Sequence, residues 1–427
     1  MRLLIKNGHV LDPSTGMDGV LDVLVVDEVI TKVEANITEE ADRVIDASGK
    51  YVMPGFIDLH VHLREPGFEY KETIETGMKA AAKGGFTTIC PMPNTKPVTD
   101  CKEVVTYVVN RAKEIGLVNV LPVGAITTGQ SGDELADFKA MKEAGICAIS
   151  EDGKSVMATD IYMKAMKAAA ELDLPVMAHC EDRSLVRGGV MNAGEKAEEL
   201  GLPGITNAVE DTITARDIFM AKEAGCRLHL CHCSTEDSVR LVKMAREMNL
   251  PVTAEVCPHH FTMSDDEITN DHGNFKMNPP LRSRRDVEAL KVGLANGTMQ
   301  VIATDHAPHG KEENDQSMRK SPFGIVGLET AFQLTVTELV KKGYMTPMKM
   351  VEALSYQPAK VLGIEKGRLC PGYVADLVVA DMDKETVIDV TTFESLGTNT
   401  PFDGRKVFGE VEVTICSGKV VYENTKK

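Results

Sequence analysis

The sequence is poor in the features that mark a nucleic-acid binder, a membrane protein or a secreted disulfide scaffold, and each absence narrows what its 427 residues can do. Positive charge is in deficit. With 47 Lys and Arg against 64 Asp and Glu, the formal net charge is -17, a field that repels polyanions, so neither nucleic acid nor an anionic membrane surface is an expected partner. A small anion can still be caught locally by one or two arginines. No apolar run approaches the roughly 20 residues needed to span a bilayer, which predicts a soluble chain. No hydrophobic stretch after Met1 is long enough for a secretory signal, and the ten cysteines are scattered. Reduced thiols in a cytoplasmic protein are therefore expected, with no disulfide framework. Low-complexity tracts and internal repeats are also missing.

What is present is an alternation of short strand-like and longer helix-like segments. Residues 1–53 read as strands only (Leu3 to Val10, Asp22 to Val26, Val29 to Val33), broken by turn signals such as Asp12-Pro13-Ser14-Thr15-Gly16. The C-terminal stretch reads alike, with Ala375 to Ala380 and Val411 to Ile415 as strands and Ser417-Gly418 as a turn. The two ends are thus expected to build one small β-sandwich domain, in parts 1–53 and 364–427. Between them, over 54–363, strands are predicted to end near His62, Asn94, Thr127, Asp152, His179, His232, Cys257 and Asp305. Each interval is long enough for a crossover helix, so the pattern predicts a (β/α)8 barrel of the α/β class. Leu135, Phe138 and Met141, three apart, predict the buried face of one such helix, and Gly145 and Gly225 predict left-handed helix ends.

The chemistry gathers at the predicted strand ends, where barrels of this type carry their sites. In Phe56-Ile57-Asp58-Leu59-His60-Val61-His62-Leu63-Arg64 polar and apolar residues alternate, which predicts Asp58, His60, His62 and Arg64 on one face and Ile57, Leu59, Val61 and Leu63 on the other. Residues two apart on a strand can share one divalent cation. Asp152, His179, His232 and Asp305 end other strands, so four imidazoles and two carboxylates are expected at one rim. Any one of them alone reads more simply as a structural hydrogen-bonder. Six together favour a metal site, with Zn²⁺ first, although Mn²⁺ or Co²⁺ fits the same donors. Cys180, Cys231 and Cys233, one residue from a proposed ligand, are read as small buried hydrophobes on the opposite strand face, and His229, of the same parity as Cys231, as structural. His259 and His260 are divided between packing and orienting a ligand.

These residues lie in motifs that resemble dihydroorotases of the bacterial long-chain type (class I) in the amidohydrolase superfamily. The motifs are Pro54-Gly55-Phe56-Ile57-Asp58-Leu59-His60-Val61-His62-Leu63-Arg64, Met92-Pro93-Asn94-Thr95, His232-Cys233-Ser234-Thr235, Asn278-Pro279-Pro280-Leu281-Arg282 and Ala303-Thr304-Asp305-His306-Ala307-Pro308-His309. The resemblance runs nearly end to end. It implies reversible, zinc-dependent hydrolysis of (S)-dihydroorotate to N-carbamoyl-L-aspartate in pyrimidine biosynthesis, with two zinc ions per subunit. It implies that His60 and His62 hold one metal, that His179 and His232 hold the second, that Asp152 bridges them, and that Asp305 stands by the first as acid/base. It places the substrate against His62, Arg64, Asn94, Asn278, His309 and the backbone of Phe323 and Gly324. Superfamily relatives often bridge with a carboxylated lysine; here no lysine precedes the turn at that strand end, and Lys154 lies beyond Gly153. A basic residue usual five positions after His309 is replaced by Asn314, with Lys311 nearby. The polar loop 310–321 suits a mobile lid or an ordinary solvated surface. A homodimer is implied, as is association with aspartate transcarbamoylase. The competing readings are an allantoinase or hydantoinase sharing the metal frame but not the carboxylate grip, and a non-catalytic dihydroorotase-like scaffold that has lost its ligands.

Overall fold

Eight short apolar runs in the middle of the chain form parallel strands in a computed structural model that describes residues 1–425. They are β1 (Phe56–Val61), β2 (Phe86–Pro91), β3 (Asn119–Val120 and, past Pro122, Val123–Ala125), β4 (Ala148–Ser150), β5 (Val176–Ala178), β6 (Leu228–Leu230), β7 (Val252–Val256) and β8 (Val301–Ile302). Each pairs in parallel with the next. The ring closes where the chain beyond β8 meets β1, through a parallel bridge of Val61 with His306 and a 2.8 Å bond from His62 N to His306 O. All eight predicted strand ends therefore lie on one rim of a (β/α)8 barrel.

Strand parity separates two cores. Ile57, Leu59, Cys90, Met92, Val123, Ala148, Met177, Cys231, Val301 and Ala303 come from strands all round the ring yet pack together, so they fill the lumen, with Ala359, Val361 and Leu362 beneath. The alternate residues, such as Val176, Ala178, Leu228, Leu230, Val252 and Ala254, pack outward on the helices. One helix differs from expectation. It runs Phe138–Ala144 because the Asp137 carboxylate accepts a 3.0 Å bond from Ala140 N and caps it there, which leaves Leu135 upstream, bridged to Thr127. Phe138 and Met141 do face the core, and Gly145 and Gly225 end their helices at φ 115° and 68°, as the sequence predicts.

Both termini build the second unit. Its sheet runs Lys419–Glu423, Lys406–Cys416, Leu377–Val387, Tyr51–Pro54, Arg2–Asp12, Met17–Val26, Val29–Glu34, with Arg43–Asp46 paired beside Arg2–Asp12. Leu3, Ile5, Val23, Val25, Val52, Leu377, Val379 and Ile415 form its core. The sheet curls until the Ser417-Gly418 turn meets the Asp27-Glu28 turn so closely that a Cβ at Gly418 would strike the Asp27 carbonyl. The unit docks on the barrel through Met53, Val378, Ala380 and Val411, and Thr414 Oγ1 donates 2.6 Å to Ala82 O on helix Ile74–Lys83.

Candidate metal centre and active site

The imidazoles of β1 reach the rim by a route that strict alternation does not describe. The pairing of β1 with β2 shifts register between Asp58 and Val61, so Ile57 and Leu59 enter the lumen while Val61 and Leu63 pack outward. The predicted single apolar face is thus split by an irregular strand. Asp58 does not face the site as a ligand; its Oδ1 accepts from the backbone N of His60 and of Thr304, both at 3.1 Å, and so ties β1 to β8. Burial pushes its carboxyl up to about 7.

Backbone conformation also corrects the reading of Cys231. Cys180 and Cys233 pack outward and are buried as expected, but Cys231 and His229 belong to the lumen side of β6. His232 nonetheless turns inward because its backbone takes φ 34°, a left-handed value that breaks the two-residue alternation. Asp305 adopts φ 50° and Arg64 φ 62°. Three of the candidate site residues are therefore held in a sparsely populated conformation, which a packed surrounding must impose.

Together these departures bring all six predicted ligands to one place. His60 Nε2 lies 3.1 Å from Asp152 Oδ1 and 3.5 Å from Asp305 Oδ1, and His62 Nε2 lies 3.0 Å from Asp305 Oδ1 and 3.7 Å from Asp152 Oδ2. On the other side of Asp152, His179 Nδ1 is 3.6 Å and His232 Nε2 3.9 Å from Oδ1, and these two rings bond each other at 2.9 Å. The outer nitrogens are fixed. His60 Nδ1 donates to Glu255 Oε1 at 3.1 Å and His62 Nδ1 to Asn94 Oδ1 at 3.0 Å, which leaves both Nε2 lone pairs turned inward.

The donor set fits a divalent metal. His60 Nε2 and Asp152 Oδ1 are buried, 3.1 Å apart and make no hydrogen bond; the geometry is one of converging lone pairs rather than of donor to acceptor. Ligand atoms of His60, His62 and Asp305, and again of His60, Asp152 and His232, lie within 4.8 Å of one another. Electrostatics agrees. Burial alone would lower His60, but Asp152 and Asp305 raise it well above 6.5; His179 is likewise raised to about 10 against its burial by Asp152 and Glu181. Burial would raise Asp152 and Asp305, yet the surrounding imidazoles together outweigh it, His60 with His179 and His232 at Asp152 and His60 with His62 and His232 at Asp305, and hold both carboxyls low. Such a cluster favours positive charge at its centre, whether carried by protons or by a metal.

A cavity of about 150 Å³ opens over this cluster, and His62, Arg64, Asn94, Asn278, Phe323 and Gly324 line it. His309 stands behind them. Its Nε2 meets Phe323 O at 2.8 Å and Arg64 Nη2 at 3.4 Å, and Arg64 Nε donates 3.1 Å to Pro308 O. Gly324, at φ 128°, has no room for a Cβ, which would come 2.5 Å from the Ala307 Cβ. Asn94 is engaged twice, for its Nδ2 also donates to Asp152 Oδ2 at 3.1 Å, and Asn278 bonds Glu181.

Several residues here escaped the sequence reading. Glu255 accepts from His60 and, with its other oxygen, from His229 Nε2 at 2.9 Å; a glutamate on the lumen parity of β7 is the signal that could have found it. Glu181, Gln130, which donates 3.1 Å to Asp152 O, and Lys71, 3.2 Å from His309 Nδ1, had no such signal because they sit on loops. His259 and His260 are buried, His260 donates to Pro279 O at 2.9 Å, and neither bonds a proposed ligand, which favours packing. Asn314 is buried and bonded to Asn274, and Met318 joins an apolar cluster, so the segment 310–321 is anchored at both points.

Comparison with known proteins adds three findings. A family described as dihydro-orotase-like matches residues 49–238. Sequences named dihydroorotase from Bacillus cereus (strain AH820) and Bacillus thuringiensis (strain Al Hakam) are each 49% identical over 423 residues, 99% of this chain and 99% of theirs. Among solved structures, an L-hydantoinase (dihydropyrimidinase) from Arthrobacter aurescens superposes with TM-score 0.88 at 26% identity over 99% of this chain and 96% of its own, and a D-hydantoinase with 0.87 at 27% over 100% and 96%.

Proposed function

The chain belongs to the dihydroorotase family, and from that premise we propose that its rim site opens the ring of (S)-dihydroorotate to N-carbamoyl-L-aspartate, reversibly, in pyrimidine biosynthesis. It is a metal-dependent cyclic amidohydrolase acting on a small molecule. The observation that carries the substrate reading is Arg64: a guanidinium in the wall of a cavity otherwise built for a metal and a ring fits a substrate that bears a carboxylate. The hydantoinase reading draws on the solved neighbours, but it gives Arg64 nothing to hold. A silent scaffold is disfavoured because all six ligands converge.

In this reading His60, His62, Asp152, His179, His232 and Asp305 hold two zinc ions, and Mn²⁺ or Co²⁺ suits the same donors. Bound divalent ions lower the pKa of water from about 15.7 to roughly 7 and polarise the scissile carbonyl. Asp305 takes a proton from the attacking water and returns it to the departing ring nitrogen, so one C–O bond forms as one C–N bond breaks. Arg64 grips the substrate carboxylate with His309 beside it, the His309 ring being oriented by the Nε2 hydrogen it donates to the Phe323 carbonyl. Asn94, which bonds both His62 and Asp152 here, holds a ligand of each group in place as well as facing the substrate. Asn278, Phe323 and Gly324 shape the space for the ring.

Residues 54–363 form the catalytic unit in this proposal, with 1–53 and 364–427 as its support. No helix among the described residues is long and apolar enough to cross a membrane, and a cytoplasmic homodimer able to associate with aspartate transcarbamoylase is the assembly we propose. Ring opening of dihydroorotate, hydantoin and allantoin by the purified enzyme, paired with metal analysis, tests the reading. Turnover of dihydroorotate with about two metals per chain is expected; preference for hydantoin or allantoin would overturn it.

A further inference from the structure

At the opposite end of the barrel from the metal residues lies a cavity of about 600 Å³, a size that suits a small metabolite. Its position follows from its walls: Pro175, Leu228 and Val252 begin or precede β5, β6 and β7, so this is the mouth where the strands enter. Its charge is opposite to that of the molecule. Arg227, Arg246, Lys349 and Lys360 line it against Glu352 in the wall and Asp173, whose carboxylate pairs with Arg227 at 3.0 Å, so the lining keeps a positive excess on a chain of net charge -17.

Two of these cations meet at one residue, since Arg246 donates to the Gly297 carbonyl and the Lys349 ammonium lies where a Cβ on Gly297 would touch it. Lys349 also pairs with Glu352 at 2.9 Å. Arg227 gives its terminal nitrogens to Val361 O (2.9 Å) and Asp173 O (2.7 Å), but its Nε is buried with no partner. A buried donor without an acceptor is costly unless something supplies one. His229 forms part of the floor. Its Nδ1 accepts from Thr253 Oγ1 at 2.8 Å, its Nε2 donates to Glu255 at 2.9 Å, and Glu255 bonds His60 at 3.1 Å, so one line of side chains runs from this cavity through the lumen to the rim.

We propose that this cavity binds a phosphate-bearing small molecule and that His229 and Glu255 transmit its occupancy to His60. Arginine and lysine walls match phosphate oxygens, and the volume is that of a metabolite site. The second half rests on the role of His60 proposed above; the first does not.

The probe is inorganic phosphate, measured by equilibrium dialysis on the metal-loaded enzyme with N-carbamoyl-L-aspartate saturating the catalytic cavity. The wild type should retain one phosphate per chain, and the R246E/K360E double variant should bind it about tenfold more weakly or worse. The single Lys360→Ala variant, at an exposed position, should give an intermediate loss with an unchanged melting temperature. No binding by the wild type at millimolar phosphate, or equal binding by all three proteins, would overturn the site. For the relay, phosphate should change the wild-type kcat by about twofold or more and leave the double variant unmoved. Retained binding with no change in kcat would overturn the relay alone, and an enzyme inactive on dihydroorotate would reveal itself before phosphate is added.

Discussion

The two mouths of this barrel are made by the same eight strands and are chemical opposites. At the rim where the strands end, Asp152, Asp305, Glu181 and Glu255 surround four imidazoles and favour a cation. Where the strands enter, four basic side chains surround a larger cavity. The loops that leave the strands are long enough to carry and aim polar groups, whereas the entry side is defined by prolines such as Pro175 and Pro251 and by helix ends. Glu255 and His229, with Thr253, join the two through a lumen filled largely with apolar side chains. The contrast teaches that polarity along a barrel axis can be built without changing the scaffold.

The comparison breaks most completely if metal is not what the rim favours. Chelation should remove essentially all ring opening and lower the melting temperature, with recovery on adding Zn²⁺; activity in metal-free enzyme would end the reading. Asp305→Asn should keep the metal, as read by elemental analysis, while kcat falls by about 10²–10⁴-fold, since an amide cannot relay the proton. Glu255→Gln tests whether the link between the mouths sets the tautomer of His60, and metal affinity by competitive chelation should drop about 10–100-fold. Arg64→Lys should raise KM for dihydroorotate and lower kcat/KM by roughly tenfold, because an ammonium cannot reproduce the bidentate fork. At the other mouth, Lys360→Glu without added phosphate should leave kcat/KM within about twofold, as expected of an exposed charge far from the chemistry.

Much of the rim was legible because strand ends and polar residues coincide in the chain. His60, His62, Asp152, His179, His232 and Asp305 stand at the close of five apolar runs, the first two sharing one, and a barrel sends all such positions to one side. What was misread came from the backbone. The register shift in β1 and the left-handed turn at His232 alter which residues face inward, and neither leaves a mark in the pattern of polar and apolar letters. Helix Phe138–Ala144 starts later than its apolar spacing suggests because a single carboxylate caps it.

The sequence by itself determined the alternation of strands and helices, the pairing of the termini in one sheet, and the six side chains able to hold metal, since these depend on local periodicity and residue chemistry. Only the tertiary structure decided that Glu255 fixes His60, that His309 backs Arg64, and that four scattered cations share one cavity. Those depend on distances between residues far apart in the chain, which closure of the barrel sets and no local pattern encodes.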